Sequence, residues 1–452
     1  MKCPRVLIAA PGSGSGKTTV TMAILSALKF KGVHCASFKI GPDYIDPMFH
    51  KNILHLPCSN LDSFLLGEER CKHLLVKNSR EFQVIEGVMG YYDGIGTSSD
   101  SSTYEMAKIT ESPVILVMSL KGMALSAAAI ATGLQNFKQD SGIQGIIFNG
   151  ITDMMYPYYK SIFETHTSLK VLGYLPKMED CEIGSRHLGL ITAEEVNEIE
   201  DIIKRLGEMA LKTIDLDGIL DMGKEAPSIS STLGETKELA NVNLAIGKDL
   251  AFSFYYDDTL QYLEKLGVRL LPFSPLKNER IPEDAHGLYL GGGYPENYME
   301  ELSNNYIFLD SIRRAFQKKL PIIAECGGFM VLQEFFKGER EYPLAGIFPG
   351  SCEMTSRLQN FGYLSLSAKE DSLLLKAGEN LHAHEFHYSK SEFPGDFFYG
   401  QKPKSKRGWA TGYGSKHYYV GYPHLHLFGN PKAAKRFIMK MKEYKEELWQ
   451  KP

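Results

Sequence analysis

No run of this sequence approaches the roughly 18–20 consecutive apolar residues that a helix needs to cross a bilayer, so a helical membrane protein is excluded. The apolar run Val6–Ala10 is too short for the hydrophobic region of a secretion signal and ends in a glycine-rich loop, which points to a cytoplasmic protein. Basic residues form no stripe interleaved with aromatics. The 50 Lys and Arg stand against 54 Asp and Glu, a formal charge of −4, so nucleic acid is not an expected partner. Seven cysteines (3, 35, 58, 71, 181, 326 and 352) are odd in number and scattered, with no C-x-x-C pair to suggest zinc or a redox centre. Only Cys326 has surroundings that suggest chemistry. Internal repeats and low-complexity tracts are also lacking, and Gly and Pro are spread along the chain.

What is present is ordinary globular composition, 43% hydrophobic and 23% charged, in 452 residues, too long for one usual core. Strand-like runs at Arg5–Ala9, Cys35–Ile40, Glu81–Ile85, Val114–Met118, Ile143–Asn149 and Val171–Leu175 alternate with amphipathic helical stretches, the pattern of a parallel α/β sheet. A polar, aperiodic stretch follows from about Asp215 to Ala240. A second alternating series then runs through Asn243–Ile246, Arg269–Pro272, Gly287–Leu290, Pro321–Ala324 and Tyr419–Pro423. The expected organisation is an α/β protein of two domains, 1–215 and 242–438, joined by a linker over 216–241.

The first strand runs into Pro11-Gly12-Ser13-Gly14-Ser15-Gly16-Lys17-Thr18-Thr19 and then a helical pattern. A strand, a glycine-rich turn and a helix N-terminus aim backbone N–H groups and the positive end of the helix dipole at an anion. Lys17 then reaches the β and γ phosphates and Thr18 offers a hydroxyl to Mg²⁺. Pro11 stands where the strict phosphate-loop pattern has glycine. The next strand ends lead into Asp43 and Asp46, and into Glu86 and Asp93; ligands bind outside the carboxyl ends of parallel strands, so these carboxylates should converge on the loop as a site suited to Mg²⁺.

Pro321–Ala324 leads into Glu325-Cys326-Gly327-Gly328, a nucleophile at a strand-to-helix turn, where a helix N-terminus would lower the thiol from about 8.5. Gly292 and Gly293, at another strand end, can line an oxyanion hole with the N–H of Gly327. His424 and His426 alternate on a late strand and offer a base, giving a Cys–His dyad. His382, His384 and His387 around Glu385 match no zinc spacing; substrate or interdomain contacts are favoured over metal, with plain structural histidines an equal alternative.

Together these residues resemble the cobyrinate a,c-diamide synthase family, which joins a dethiobiotin-synthetase-like ATP domain of P-loop NTPase type to a class I glutamine amidotransferase domain. The resemblance rests on Ser15–Thr19, Phe38–Pro47, Glu86–Gly90, Arg186–Leu190, Ala251–Tyr256, Gly291–Glu296, Ala324–Gly328 and His384–Ser389. It implies a ligase of cobalamin biosynthesis that amidates two carboxylates of cobyrinate with glutamine and ATP. Cys326 is then the nucleophile and His424 the residue that activates it. ATP is held by Gly14, Gly16, Lys17, Thr18, Thr19 and Lys39, with Asn149 on the adenine side; Mg²⁺ by Thr18, Asp43 and Glu86; and substrate or intermediate by Asp43, Asp46 and Asp93. Class I enzymes carry Glu two residues after the histidine. His426 stands there, so a dyad-like site is implied and the role of His426 is open. Ser119, Gly184-Ser185 and Ala383 depart from family residues without touching the proposed nucleophile or phosphate ligands.

Ni-sirohydrochlorin a,c-diamide synthase shares the motifs and differs in the macrocycle. A P-loop partitioning or metal-carrier ATPase would have no use for Cys326 and His424. Cobyric acid synthase usually ends Tyr-x-His-Gly-x-Phe, unlike Tyr422-Pro423-His424-Leu425-His426. A homodimer is compatible with this chemistry without being required.

Overall fold

A computed structural model describes residues 1–178, 181 and 193–449. The chain forms two compact units, Met1–Leu233 and Gly234–Pro452. The N-terminal unit is built on strands β1 (Arg5–Ala9), β2 (Cys35–Ile40), β3 (Cys58–Leu61), β4 (Phe82–Glu86), β5 (Val114–Ser119), β6 (Ile143–Asn149) and β7 (Lys170–Leu175), in the order β3-β2-β4-β1-β5-β6-β7. All neighbours run parallel. Both faces are covered, so β1, β2, β3 and β4 are buried at every position, including the polar Arg5, Lys39, Asn60, Gln83 and Glu86. The six expected strands are all present. β3, whose sequence is Cys-Ser-Asn-Leu, carries too little β-branched or aromatic character to be seen in advance.

The expected linker over 216–241 needs correction. Its first third is a helix, Leu216–Lys224, and Leu216, Ile219 and Met222 join the core of the N-terminal unit. Gly218 and Gly223 within it allow close approach. A Cβ at Gly223 would lie 2.4 Å from the Phe82 ring, and one at Gly218 would lie 2.2 Å from Asp215, whose side chain caps the helix. Beyond that helix the wholly buried Arg5 holds the chain: its guanidinium donates to the carbonyls of Thr110 (2.6 Å), Cys3 (2.7 Å), Pro227 (3.0 Å) and Glu111 (3.2 Å). At the other end, helix Pro431–Trp449 runs past the expected limit at 438 and buries Met441.

The C-terminal unit carries a six-stranded sheet of β8 (Val242–Gly247), β9 (Val268–Phe273), β10 (Gly287–Leu290), β11 (Ile322–Glu325), β18 (Tyr413–Gly414) and β19 (Tyr418–Gly421), ordered β18-β19-β11-β10-β8-β9. All pairs are parallel except β18 with β19. A second sheet comprises β12 (Gln333–Lys337), β13 (Glu341–Pro343), β14 (Phe348–Ala368), β15 (Asn380–Ser391), β16 (Phe398–Gln401), β17 (Gly408–Thr411) and β20 (His424–Leu425). Its central feature is the long antiparallel pair β14–β15, with β20 added to the free side of β15 so that His384 lies opposite His424.

Candidate active site

In the N-terminal unit, the carboxyl ends of β1, β2, β4 and β6 bring the expected phosphate-site residues together. Gly14 (φ 76°) and Gly16 (φ 86°) occupy the left-handed region that side chains disfavour, and Gly16 caps the helix Lys17–Phe30, whose first turn holds Thr18 and Thr19. A Cβ on Gly16 would also lie 2.0 Å from Asn149 Nδ2, which donates to the Ser15 carbonyl at 3.1 Å; Asn149 therefore braces the loop. Lys17 Nζ donates to the Met89 carbonyl. Burial, then the charge of Lys39, lower its ammonium from the ordinary value.

Lys39 and Glu86 are register neighbours on β2 and β4, and a charge inside a fully buried strand needs a partner. Lys39 Nζ lies 2.7 Å from Glu86 Oε1 and 2.5 Å from Asp46 Oδ2. Burial alone would lower this lysine, but Glu86, Asp46 and Asp43 together hold it above its usual range. Thr18 Oγ1 donates to Glu86 Oε1 at 2.5 Å. Asp43 accepts from the N–H groups of Ile45 (2.8 Å) and Asp46 (3.3 Å). Burial, then Asp46, push Asp43 up to about 6; burial would also raise Asp46, but Lys39 with help from His50 and Asp43 holds it low. Asp93 accepts from Gly90 N–H at 3.0 Å. The expected residues thus form one linked cluster of Thr18, Glu86, Lys39, Asp46 and Asp43. Sequence reading passed over His50, wholly buried behind it, with Nδ1 2.7 Å from Ser37 Oγ and Nε2 3.6 Å from Glu86 Oε2. Among the described residues, Glu86 Oε2 has no hydrogen-bond partner. Glu86 Oε1 beside the Thr18 hydroxyl is a hard oxygen pair of the kind that suits Mg²⁺, which takes few protein ligands and completes its shell with phosphate and water, while the unmet Oε2 faces His50. Arg186–Leu190 and Gly184-Ser185 lie outside the described residues.

In the C-terminal unit, β11 ends at Glu325 and the chain turns at Cys326 (φ 47°, ψ −103°) into the one-turn helix Gly327–Met330. A positive φ at a residue with a side chain costs about 1–3 kcal/mol and is retained where the surroundings over-determine it. Here Cys326 N–H donates to the Gly421 carbonyl at 2.9 Å, and Gly328 N–H to the Gly291 carbonyl at 3.1 Å. Gly327 is pressed against the glycine loop, since a Cβ there would lie 2.9 Å from Pro295 and 3.3 Å from Gly293 N. Gly292 is equally close to His424: a Cβ on it would come 2.5 Å from His424 Cε1. These contacts gather Gly292, Gly293, Gly327, Cys326 and His424 around one point.

The expected lowering of the thiol is corrected by the structure. Cys326 is 6% exposed, and burial, followed by the charge of Glu296, pushes it well above its usual range. A single helical turn has too small a dipole to offset that. Burial also holds His424 well below its ordinary value, so the resting pair is thiol and neutral imidazole. His384 stacks on His424 (ring centroids 5.0 Å apart, 13° between planes) because they are cross-strand neighbours, and its Nε2 is 2.8 Å from Tyr256 OH. His387 stacks on Tyr422 at 3.8 Å, and its Nε2 is 3.5 Å from Glu385. His426 stacks on Tyr256 at 4.4 Å, with Nδ1 3.2 Å from Thr259 Oγ1.

Two family models match the chain. One describes a CobQ/CobB/MinD/ParA nucleotide binding domain over residues 6–191, the other a CobB/CobQ-like glutamine amidotransferase domain over 243–432. The cobyrinate a,c-diamide synthase of Clostridium tetani is 40% identical over 440 residues, covering 96% of this chain and 99% of that protein. The chain belongs to the cobyrinate a,c-diamide synthase family. Other proteins of that name are 38% identical in Thermoplasma volcanium, covering 99% of each chain, and 36% in Caldanaerobacter subterraneus, covering 96% of this chain and 98% of that one. Membership makes the chain a carbon–nitrogen ligase with glutamine as its amide donor and a nucleotide-binding N-terminal domain. It also disposes of the partitioning-ATPase alternative, since the family's amidotransferase domain contains both Cys326 and His424. Among the described residues no helix is long and apolar enough to cross a membrane.

Proposed function

We propose that this enzyme converts the a- and c-acetate carboxylates of cobyrinate to carboxamides, with ammonia drawn from glutamine at Cys326 and each carboxylate activated as an acyl phosphate. The observation that carries this reading is the pairing, in one chain of this family, of a buried Lys39–Glu86–Thr18 cluster beside a phosphate loop with a strained cysteine whose neighbour Gly327 packs on the same glycine loop that meets His424.

Phosphoryl transfer needs positioning and charge neutralisation more than covalent help from the protein. The loop N–H groups after Gly14 and Gly16 cradle the phosphates. Lys17 and Lys39 face the charge that builds as the γ-phosphoryl leaves ATP for a substrate carboxylate oxygen. Mg²⁺, held by Thr18 and Glu86 with Asp43 near, would neutralise phosphate charge. Asp43, Asp46 and Asp93 orient the substrate or the metal, and Asn149 borders the adenine. Ammonia then attacks the acyl carbon and inorganic phosphate departs. The reaction is a cytoplasmic one in this reading, and a homodimer is compatible with it.

Heavy-oxygen labelling tests the acyl phosphate directly. With the substrate carboxylates labelled, one labelled oxygen per amide formed should appear in the released phosphate. Phosphate free of label would contradict the intermediate.

A further inference from the structure

Glu325 is wholly buried at the end of β11, one residue before the strained cysteine. Taking a carboxyl out of water costs several kcal/mol unless partners meet it, so its partners indicate what it serves. Its Oε1 accepts from Leu425 N–H at 3.1 Å, and its Oε2 accepts from Tyr289 OH at 3.1 Å and lies 3.8 Å from His424 Nδ1. One side chain thus holds the backbone of β20 and faces a ring nitrogen on the same two-residue strand. The rest of the imidazole is bounded by Gly292 at Cε1 and by the His384 ring on its face. His426, at the place where class I enzymes have their carboxylate, is instead engaged with Tyr256 and Thr259.

We infer that Glu325 is a positioning residue for glutamine hydrolysis, replacing from the strand before the nucleophile the carboxylate that class I enzymes carry after the histidine. At 3.8 Å, beyond hydrogen-bond length, its Oε2 acts on the ring as a nearby charge that favours the tautomer with Nδ1–H, which leaves Nε2 to take the thiol proton. This inference rests on the roles proposed above for Cys326 and His424. Cys326 passes its proton to Nε2, and sulfur bonds to the side-chain carbonyl carbon of glutamine. The proton then goes to the departing amino group, so ammonia leaves and a thioester remains. Water releases glutamate from the thioester and restores the thiol proton. Glu325 gains and loses nothing over the cycle; its carboxylate faces the imidazolium that exists between the two transfers. Burial raises Glu325 to about 8 and lowers His424, and the close approach of carboxylate to imidazolium offsets both shifts during the reaction.

The test compares full-length Glu325→Gln, Glu325→Asp and Cys326→Ala proteins. Three rates are measured on each: glutamine hydrolysis, amidation with added ammonia, and, where the thiol is present, alkylation of Cys326 by iodoacetamide across a range of pH. Glu325→Gln keeps the acceptor for Leu425 N–H but cannot become an anion, and its amide group favours the other tautomer. Its kcat for glutamine hydrolysis is expected to fall on the order of 10²–10⁴-fold, with KM within about threefold of the parent. The pH profile of alkylation should shift, ammonia-dependent amidation should continue, and Glu325→Asp should recover at least about tenfold of the loss. Hydrolysis within about threefold of the parent would overturn the assignment. So would parallel loss of ammonia-dependent amidation, which would mark Glu325 as a group that merely holds the fold. If Cys326→Ala still hydrolyses glutamine, the nucleophile reading itself fails; an active Glu325→Gln beside an inactive Cys326→Ala refutes only the positioning role.

Discussion

Replacing Cys326 by alanine is expected to lower glutamine-dependent amidation at least about 10³-fold while amidation with added ammonia continues at a comparable rate. The sulfur is the only group at the elbow that can form the thioester, and no neighbouring side chain substitutes for it. The proposed ATP site is built from strands of a different unit, Met1–Leu233. Alanine keeps the Cβ and backbone conformation of residue 326 and removes only the sulfur, so the fold should tolerate it. Steady-state rates with each nitrogen source check this. Equal loss with glutamine and with ammonia, in a protein that still binds ATP, would contradict two independent half-sites.

Lys17→Ala is expected to have the opposite signature, a fall on the order of 10²–10³-fold with either nitrogen source, because activation of the carboxylate precedes its reaction with ammonia. Lys17 Nζ is held over the loop by the Met89 carbonyl, and its ammonium is already destabilised by burial and by Lys39, so it gains most when phosphate arrives. Glutamine hydrolysis measured alone should persist. Undiminished synthesis would refute the phosphate-loop assignment.

Much of this was legible in the sequence, for identifiable reasons. Buried parallel strands have a simple signature, so the positions of β1, β2 and β4–β7 could be read from apolar runs, and the glycine loop and Cys-Gly-Gly turn announce themselves because few other residues tolerate those backbones. What stayed hidden depends on tertiary register. Nothing local in His384 says that it faces His424; that follows from the pairing of β15 with β20, some 40 residues apart in sequence. Similarly, the long strand Phe348–Ala368 has an irregular burial pattern with register shifts, so no period of two advertised it. The thiol was expected to be lowered by a helix, and the depth of its burial, which reverses that, could not be known before the glycine loop was seen to close over it. Glu325 offered one usable signal: an acidic residue ending an otherwise apolar strand, Ile-Ile-Ala-Glu, directly before the nucleophile.

The central claim is that two carboxylates of cobyrinate are amidated at the expense of glutamine and ATP. Mass spectrometry after incubation with Mg²⁺, ATP and glutamine, with cobyrinate and Ni-sirohydrochlorin in separate reactions, tests it most directly. Each amidation exchanges a hydroxyl for an amino group, a small and resolvable mass loss. Two successive losses from cobyrinate, both dependent on ATP, are expected; amidation of Ni-sirohydrochlorin alone, or an unchanged cobyrinate mass, would refute the proposed reaction.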